Sequence, residues 1–335
     1  MKWYPWLRGP FEQILSQHQA GRGHHALLLH ALPGMGDDAL IYALSRWLMC
    51  QQPQGNKSCG HCRSCQLMQA GTHPDSYVIA PEKGKTSLGI DSIREITEKL
   101  YGHAQQGGAK VVWLTEAGLL TEAAANALLK TLEEPPANTW FFLGCREPAR
   151  LPATLRSRCL YWYLSVPDET FALAWLARES SQDSKPLRAA LRLSSGAPAA
   201  AAELLQPENW KHRQLLCEKL AQACASKDML ALLSALNHED AARRIHWLSS
   251  LLLDALKWQQ GAGQWLANDD MQPLVVNLAD SAKPAVLQAM LQNWFACRES
   301  LLTVVGVNRE LLITEQLLTW ERLMQPGAIL PSPHL

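Results

Sequence analysis

What the chain lacks narrows its reading first. Lysine plus arginine and aspartate plus glutamate number 31 each, so neither sign of charge is in surplus. Bulk attraction to nucleic acid or to an acidic membrane is thereby excluded, and any such contact has to come from a local patch. No run of 18 or more apolar residues is present to cross a bilayer. The opening Met1-Lys2-Trp3-Tyr4-Pro5-Trp6 has no basic head leading into an apolar run, so it does not read as an export signal. The expectation is a cytoplasmic chain with no membrane partner. Apolar residues are plentiful: they make up 47% of 335 positions, enough to give two or three domains a core each.

Cysteine is the next informative residue. Nine are present, and four crowd together as Cys50, Cys59, Cys62 and Cys65. The others (Cys145, Cys159, Cys217, Cys224 and Cys297) are scattered through apolar segments. An odd total, a dense cluster and no export signal argue for reduced thiols around a metal, not for a disulfide framework. Four thiolates form a closed tetrahedral shell suited to structural zinc. A ferredoxin-like run would continue to a further Cys-Pro, whereas Gln66-Leu67-Met68-Gln69 follow Cys65. His61 or His73 as a substitute ligand, and a cluster with no metal, stay open. Such a site staples an excursion with little core of its own. Lys57, Arg63, Lys83 and Lys85 nearby make direct contact with DNA the competing use.

Along the chain, His25 to His30 reads as a short buried strand and Leu32-Pro33-Gly34-Met35-Gly36 as a glycine-rich turn, with a helix following. Strand, glycine turn and helix in that order make a phosphate-loop arrangement. Further buried strands are expected at 77–81, 110–114, 140–144 and 160–164. Helices are expected at 90–100, with Asp91 as its cap, and at 122–134, closed by Pro135-Pro136. Alternating strands and helices imply a parallel α/β sheet. After Pro167 strand signals fade and alanine and leucine dominate in helical period, up to a proline-rich, loose stretch over 326–335. Six of the thirteen tryptophans, from Trp210 to Trp320, fall in this helical part, where core packing and interface anchoring are both open to them.

The phosphate loop carries the wrong chemistry. A working loop ends Gly-Lys-Ser/Thr: backbone N–H groups cradle phosphate, the lysine reaches it and the hydroxyl holds magnesium. Laid on Ala31 to Asp38, the first glycine position is Ala31 and the second is Gly36, with Gly34 between them; Asp37 holds the lysine position and Asp38 the hydroxyl position. Two unit charges about 4 Å apart interact by roughly 4 kcal/mol at an effective dielectric near 20. Turning attraction into repulsion removes tight magnesium–ATP binding. The second magnesium element fails too, because Thr115 stands where an aspartate is required. Glu116 sits where a water-activating carboxylate would be but, with no nucleotide to act on, it reads better as a helix-start or surface carboxylate.

Two stretches carry a family resemblance: Asn126-Ala127-Leu128-Leu129-Lys130-Thr131-Leu132-Glu133-Glu134-Pro135-Pro136, and Leu151-Pro152-Ala153-Thr154-Leu155-Arg156-Ser157-Arg158-Cys159. Both resemble segments of bacterial clamp-loader subunits of the AAA+ class. So do Gly21 to Leu29 and, late in the chain, Asn308-Arg309-Glu310-Leu311-Leu312-Ile313. The likeness runs over nearly the full length. With the broken loop, it implies a member of the ring that does not hydrolyse ATP. It implies further that Arg158, flanked by Ser157, is offered in trans to the ATP site of a neighbouring gamma/tau subunit. The lid of active relatives carries an arginine where this chain has Ala199. The partners implied are gamma/tau and delta subunits in a hetero-pentamer, with primed DNA and the sliding clamp reached through the complex. The cofactor implied is zinc on the four cysteines, with no ATP of the chain's own. The chain would then be a non-enzymatic part of a DNA-directed DNA polymerase (nucleotidyltransferase) holoenzyme. An active ATPase with an unusual loop and a zinc-dependent DNA-binding module are the competing readings.

The expected architecture is α/β plus all-α. Residues 1–166 form a RecA-like AAA+ module with a zinc-binding insertion at about 50–65. Residues 167–207 form a small helical lid, and 208–335 a helical collar.

Overall fold

The computed structural model describes residues 1–81 and 87–325. The expectations for Lys83, Lys85 and the 326–335 stretch lie outside them. The chain divides into two compact units, Met1–Pro167 and Asp168–Leu335.

The first unit is a parallel sheet flanked by helices. Its strands are β1 (Ala26–Ala31), β2 (Ser76–Ile79), β3 (Lys110–Leu114), β4 (Thr139–Cys145) and β5 (Leu160–Leu164), in the spatial order β2-β3-β4-β1-β5. Every pairing is parallel. Strand β1 is an almost unbroken apolar run because the strands beside it and the layers above and below all cover it. Leu28 sits opposite Leu143 on one side and Tyr161 on the other, and it is fully buried. Trimming such a leucine to alanine costs about 2–5 kcal/mol.

Six helices belong to this unit among the described residues: α1 (Arg8–Gln19), α2 (Asp37–Met49), α3 (Arg63–Ala70), α4 (Ile90–Tyr101), α5 (Glu122–Glu133) and the single turn α6 (Ala153–Arg156). Thr121 caps α5 by accepting the Ala124 N–H, and the helix stops just before Pro135-Pro136, where an α conformation is disfavoured. Its buried stripe, Ala124, Leu128 and Leu132, packs on Phe141 and Leu143. Asp91 is not the cap of α4. Gly89 takes that place in an extended conformation, which puts Asp91 inside the first turn, near the positive end of the helix dipole.

The second unit is all helical among the described residues. It begins with α7 (Glu169–Glu179), α8 (Ser184–Leu193) and α9 (Pro198–Leu204), and Asp168 caps the first of these through the Thr170 and Phe171 N–H groups. Then follow α10 (Pro207–Ser226), α11 (Leu233–Leu236), α12 (Ala241–Gln259), α13 (Gln272–Ser281), α14 (Pro284–Thr303) and α15 (Arg309–Met324). Helix α12 packs on α13 and α14, and α14 on α15. Four of the six tryptophans, Trp210, Trp247, Trp294 and Trp320, are core residues, whereas Trp265 is 66% exposed. No helix of the described residues is long and apolar enough to cross a membrane.

The three-helix segment is tied to the helices after it by polar contacts. Arg188 pairs with Asp269 at 3.2 Å, and Arg192 donates to the Leu266 carbonyl at 2.6 Å. Beneath them Arg213, fully buried, pairs with Asp270 at 2.7 Å and donates to Asn268 at 2.9 Å. Its guanidinium lies over the Trp210 ring. A buried arginine is tolerated only when matched in this way, and removing one partner of such a pair costs about 3–5 kcal/mol.

Candidate functional site

The glycine turn leaves β1 at Ala31 and enters α2 at Asp37. Gly34 and Gly36 have φ of 81° and 79°, the left-handed region that glycine adopts without strain. A side chain at Gly36 would also strike the Tyr4 ring, whose nearest atom lies 2.5 Å from where a Cβ would stand. The N-terminal segment therefore lies on the loop. Tyr4 stacks on Trp6, and the Trp6 indole N–H donates to the Met35 carbonyl at 2.8 Å.

The other side of the loop is closed by Arg146, which the sequence reading did not single out. It leaves the end of β4 and reaches the loop from there. Its guanidinium donates to the Ala31 carbonyl at 2.9 Å, the Leu32 carbonyl at 3.3 Å and Asp37 Oδ1 at 3.1 Å. A second nitrogen meets Asp37 Oδ2 at 3.1 Å. Its Nε lies 3.7 Å from Glu116 Oε2, and its backbone N–H donates to Glu116 Oε1 at 3.2 Å. The aspartate at the lysine position is thus one half of an internal ion pair. Glu116 also caps the short turn Ala117–Leu119 through the Gly118 N–H. Thr115 uses both its backbone N–H and its hydroxyl on the Ile79 carbonyl, at 3.0 and 3.3 Å. Asp38 is exposed on α2. The side chains at the lysine, hydroxyl and magnesium positions are therefore engaged with the chain itself or turned to solvent.

Arg158 follows α6 and leads into β5. Its Nε meets Glu133 Oε1 at 2.8 Å, one Nη makes a closer contact with the same oxygen, and the other donates to the Thr154 carbonyl at 2.7 Å. Ser157 Oγ donates to the same carbonyl at 3.0 Å. The Arg158 side chain is 29% exposed and Glu133 49% exposed, so the pair sits at the surface. Ala199 lies in α9 of the second unit, half-buried.

The four cysteines converge. The Sγ atoms of Cys50, Cys59, Cys62 and Cys65 all lie within 4.8 Å of one another. A tetrahedral ion about 2.3 Å from each sulfur needs sulfurs roughly 3.8 Å apart, which this cluster meets with small adjustment. Backbone N–H groups point at the sulfurs: Cys59 to Cys50 at 3.2 Å, Cys62 to Cys59 at 3.3 Å and Cys65 to Cys62 at 3.5 Å. Burial opposes ionisation of Cys62, but N–H bonds from Cys65 and Gln51 outweigh it and bring the thiol down to about 6. Burial, and then the neighbouring Cys62 and Cys50, push Cys65 up to about 12. One thiolate forms easily and the next is held back by it, the state that a divalent cation relieves. The group of four is made by the cysteines, with neither histidine in it. His73 accepts the Asp75 N–H on Nδ1 and donates from Nε2 to buried Ser64 at 2.8 Å, and His61 bonds the Cys59 carbonyl. Helix α3, absent from the sequence reading, starts inside the cluster, with Cys62 as its cap.

Comparison with known proteins adds the lineage. Residues 8–168 match the family described as DNA polymerase III, delta subunit. Residues 167–206 match DNA polymerase III subunit delta', AAA+ ATPase lid domain, and 207–322 match DNA polymerase III, delta subunit, C terminal. The chain is 62% identical to DNA polymerase III subunit delta' of Escherichia coli K12 over 335 residues, covering 100% of both chains. It is 60% identical to the subunit of that name from Yersinia pestis over 340 residues, again 100% of both. A tau/gamma subunit of DNA polymerase III from Haemophilus influenzae is 32% identical over 166 residues, 49% of this chain and 24% of that one.

Proposed function

Because the chain belongs to the DNA polymerase III delta' family, the member of the clamp loader that does not hydrolyse ATP, we propose that its part in clamp loading is to serve as a fixed scaffold that lends Arg158 to a neighbour's ATP site. The observation that carries this reading is the contrast between a phosphate loop closed by Arg146 and a surface arginine in the Ser157-Arg158-Cys159 sequence. An arginine delivered in trans neutralises charge on the transferred phosphoryl group and is worth roughly 10³–10⁵ in rate. Its planar fork suits phosphate oxygens.

The neighbours in this reading are gamma/tau and delta subunits in a hetero-pentamer, with primed DNA and the sliding clamp met through the complex, in the cytoplasm. Residues 1–166 act as the AAA+ module, 167–207 as the lid and 208–335 as the collar that holds the ring. The exposed Trp265 is suited to an anchoring role in that collar. The cysteine site holds structural zinc that keeps the lobe folded.

The deciding experiment places Arg158→Ala in the reconstituted assembly. DNA-stimulated ATP turnover at the adjoining site should fall by about 10³, and unchanged turnover would overturn the arginine's role. Micromolar magnesium–ATP affinity of the isolated chain would favour a working ATPase. Purification without added metal should yield one equivalent of zinc. Acidification, which protonates the thiolates in competition with the ion, should release it.

A further inference from the structure

A second site lies on the face of the N-terminal segment away from the phosphate loop. That segment is extended at Tyr4, so neighbouring side chains point to opposite sides. Tyr4 lies on Gly36, whereas Trp3 walls a cavity of about 490 Å³ between α1, α2 and the root of the cysteine lobe. Phe11 and Tyr42 add aromatic surface, and Arg46, Lys57 and Asn56 bring polar groups to it.

Three properties suit this cavity to a ligand. Its charge is one-sided: no carboxylate lines it, and neither Arg46 nor Lys57 has an ion-pair partner among the described residues. The guanidinium of Arg46 rests over the Tyr42 ring with its Nε buried and unbonded. The rim is held in place, since Gln19 donates to the Gly55 carbonyl at 3.2 Å and to Asn56 Oδ1 at 3.1 Å, and Trp47 donates to the same Gly55 carbonyl at 2.9 Å. The aromatic face is also open: Trp3 meets Phe11 edge-on, with centroids 5.7 Å apart, and stays 44% exposed.

We propose that this pocket binds single-stranded DNA, with a base stacked on Trp3 and the flanking phosphates on Arg46 and Lys57. Flat aromatic walls beside unpaired cations are the combination by which proteins hold single strands without reading their sequence. Arginine over a tyrosine ring presents its fork to phosphate while keeping its stacking partner. The volume is that of a small-ligand site, and the exposed rim lets a strand run on in both directions. The chain's zero net charge agrees with contact confined to one patch. The choice of DNA as ligand rests on the clamp-loading reading above; the pocket's chemistry does not.

The test uses the full chain and a fluorescein-labelled oligothymidylate of about 20 nucleotides, followed by anisotropy at several salt concentrations. Binding should weaken about tenfold in Trp3→Ala and recover in Trp3→Phe. The double variant Arg46→Glu/Lys57→Glu should lose at least tenfold and lower the salt slope by about 1.4, the value for two phosphate contacts on a single strand. Unchanged melting and zinc content would show that these variants fold. Wild-type binding unaffected by either variant, or no binding at all, would overturn the proposal. Equal displacement by thymidine monophosphate would assign the pocket to free nucleotides, and equal displacement by polyglutamate to acidic peptides; either result overturns it as well. None of these outcomes touches ATP turnover in the assembly, which tests Arg158 separately.

Discussion

Arg146 and Arg158 stand on the same module, each on a loop beside a strand of the sheet, and their side chains are similarly exposed, at 35% and 29%. Exposure therefore does not separate them, but their partners do. Arg146 is turned onto its own loop, where it answers two backbone carbonyls and the carboxylates of Asp37 and Glu116, which are only 10% and 22% exposed. Arg158 holds one half-exposed glutamate and one carbonyl at the surface. An arginine whose partners are buried is part of the fold, because taking it away strands their charges. An arginine whose partners are solvated can exchange them for a phosphate at small cost. On the function proposed above, the module's own phosphate position is taken up by an internal ion pair, while Arg158, held by more solvated partners, is the arginine offered to a neighbour.

The largest expected effect separates the two by activity. In the reconstituted assembly, Arg158→Ala should cost about 10³ in turnover at the adjoining site, whereas Arg146→Ala should change turnover by less than about twofold once the protein is folded. Comparable losses from both would erase the distinction. The next effect separates them by stability. Arg146→Ala leaves Asp37 facing Glu116 without a counter-charge and should lower unfolding free energy by about 2–3 kcal/mol in urea titrations, somewhat under the buried-pair range because the site is partly solvated. Asp37→Lys, which restores the consensus residue, should destabilise by a similar amount. It should still give no magnesium–ATP binding, since the new lysine faces Arg146, Tyr4 still lies on Gly36, and Asp38 still replaces the hydroxyl. Micromolar binding by that single variant would mean that the loop is held open by something other than these contacts.

Much of this was legible in the sequence, for identifiable reasons. The strands stand out because a parallel strand covered on both faces has to be an apolar run, and 26–31 and 139–145 are such runs. The cysteine cluster was legible because its ligands lie close together in the chain. Arg146 was not, because its partner Asp37 lies 109 residues away and nothing local marks the pairing. A buried aspartate at the start of a helix that follows an apolar strand demands a cation, and that demand was the available signal, though it names no residue. Glu133 was quoted as part of a family motif, yet its role as holder of Arg158 depends on α5 and α6 meeting in space. Helix α3 was missed because it is short and is preceded by an irregular stretch, so it shows no full period.

The smallest expected effect is the most specific. Glu133 and Arg158 form an exposed pair, and exposed pairs contribute about 0–1 kcal/mol. Glu133→Gln should therefore change unfolding free energy by less than about 1 kcal/mol, against the larger loss at Arg146. Its functional effect depends on what the pair does. If Glu133 holds the guanidinium ready for a phosphate, the neutral amide still accepts a hydrogen bond but competes less for the cation. The assembly should then reach half-maximal turnover at equal or lower ATP, with maximal turnover within about twofold of the unmodified complex. If Glu133 instead fixes the only geometry in which Arg158 can reach its neighbour, turnover should drop toward that of Arg158→Ala. Steady-state titration of ATP against the Glu133→Gln assembly separates the two, and a fall approaching that of Arg158→Ala would make this surface pair as much a part of the structure as the one at Arg146.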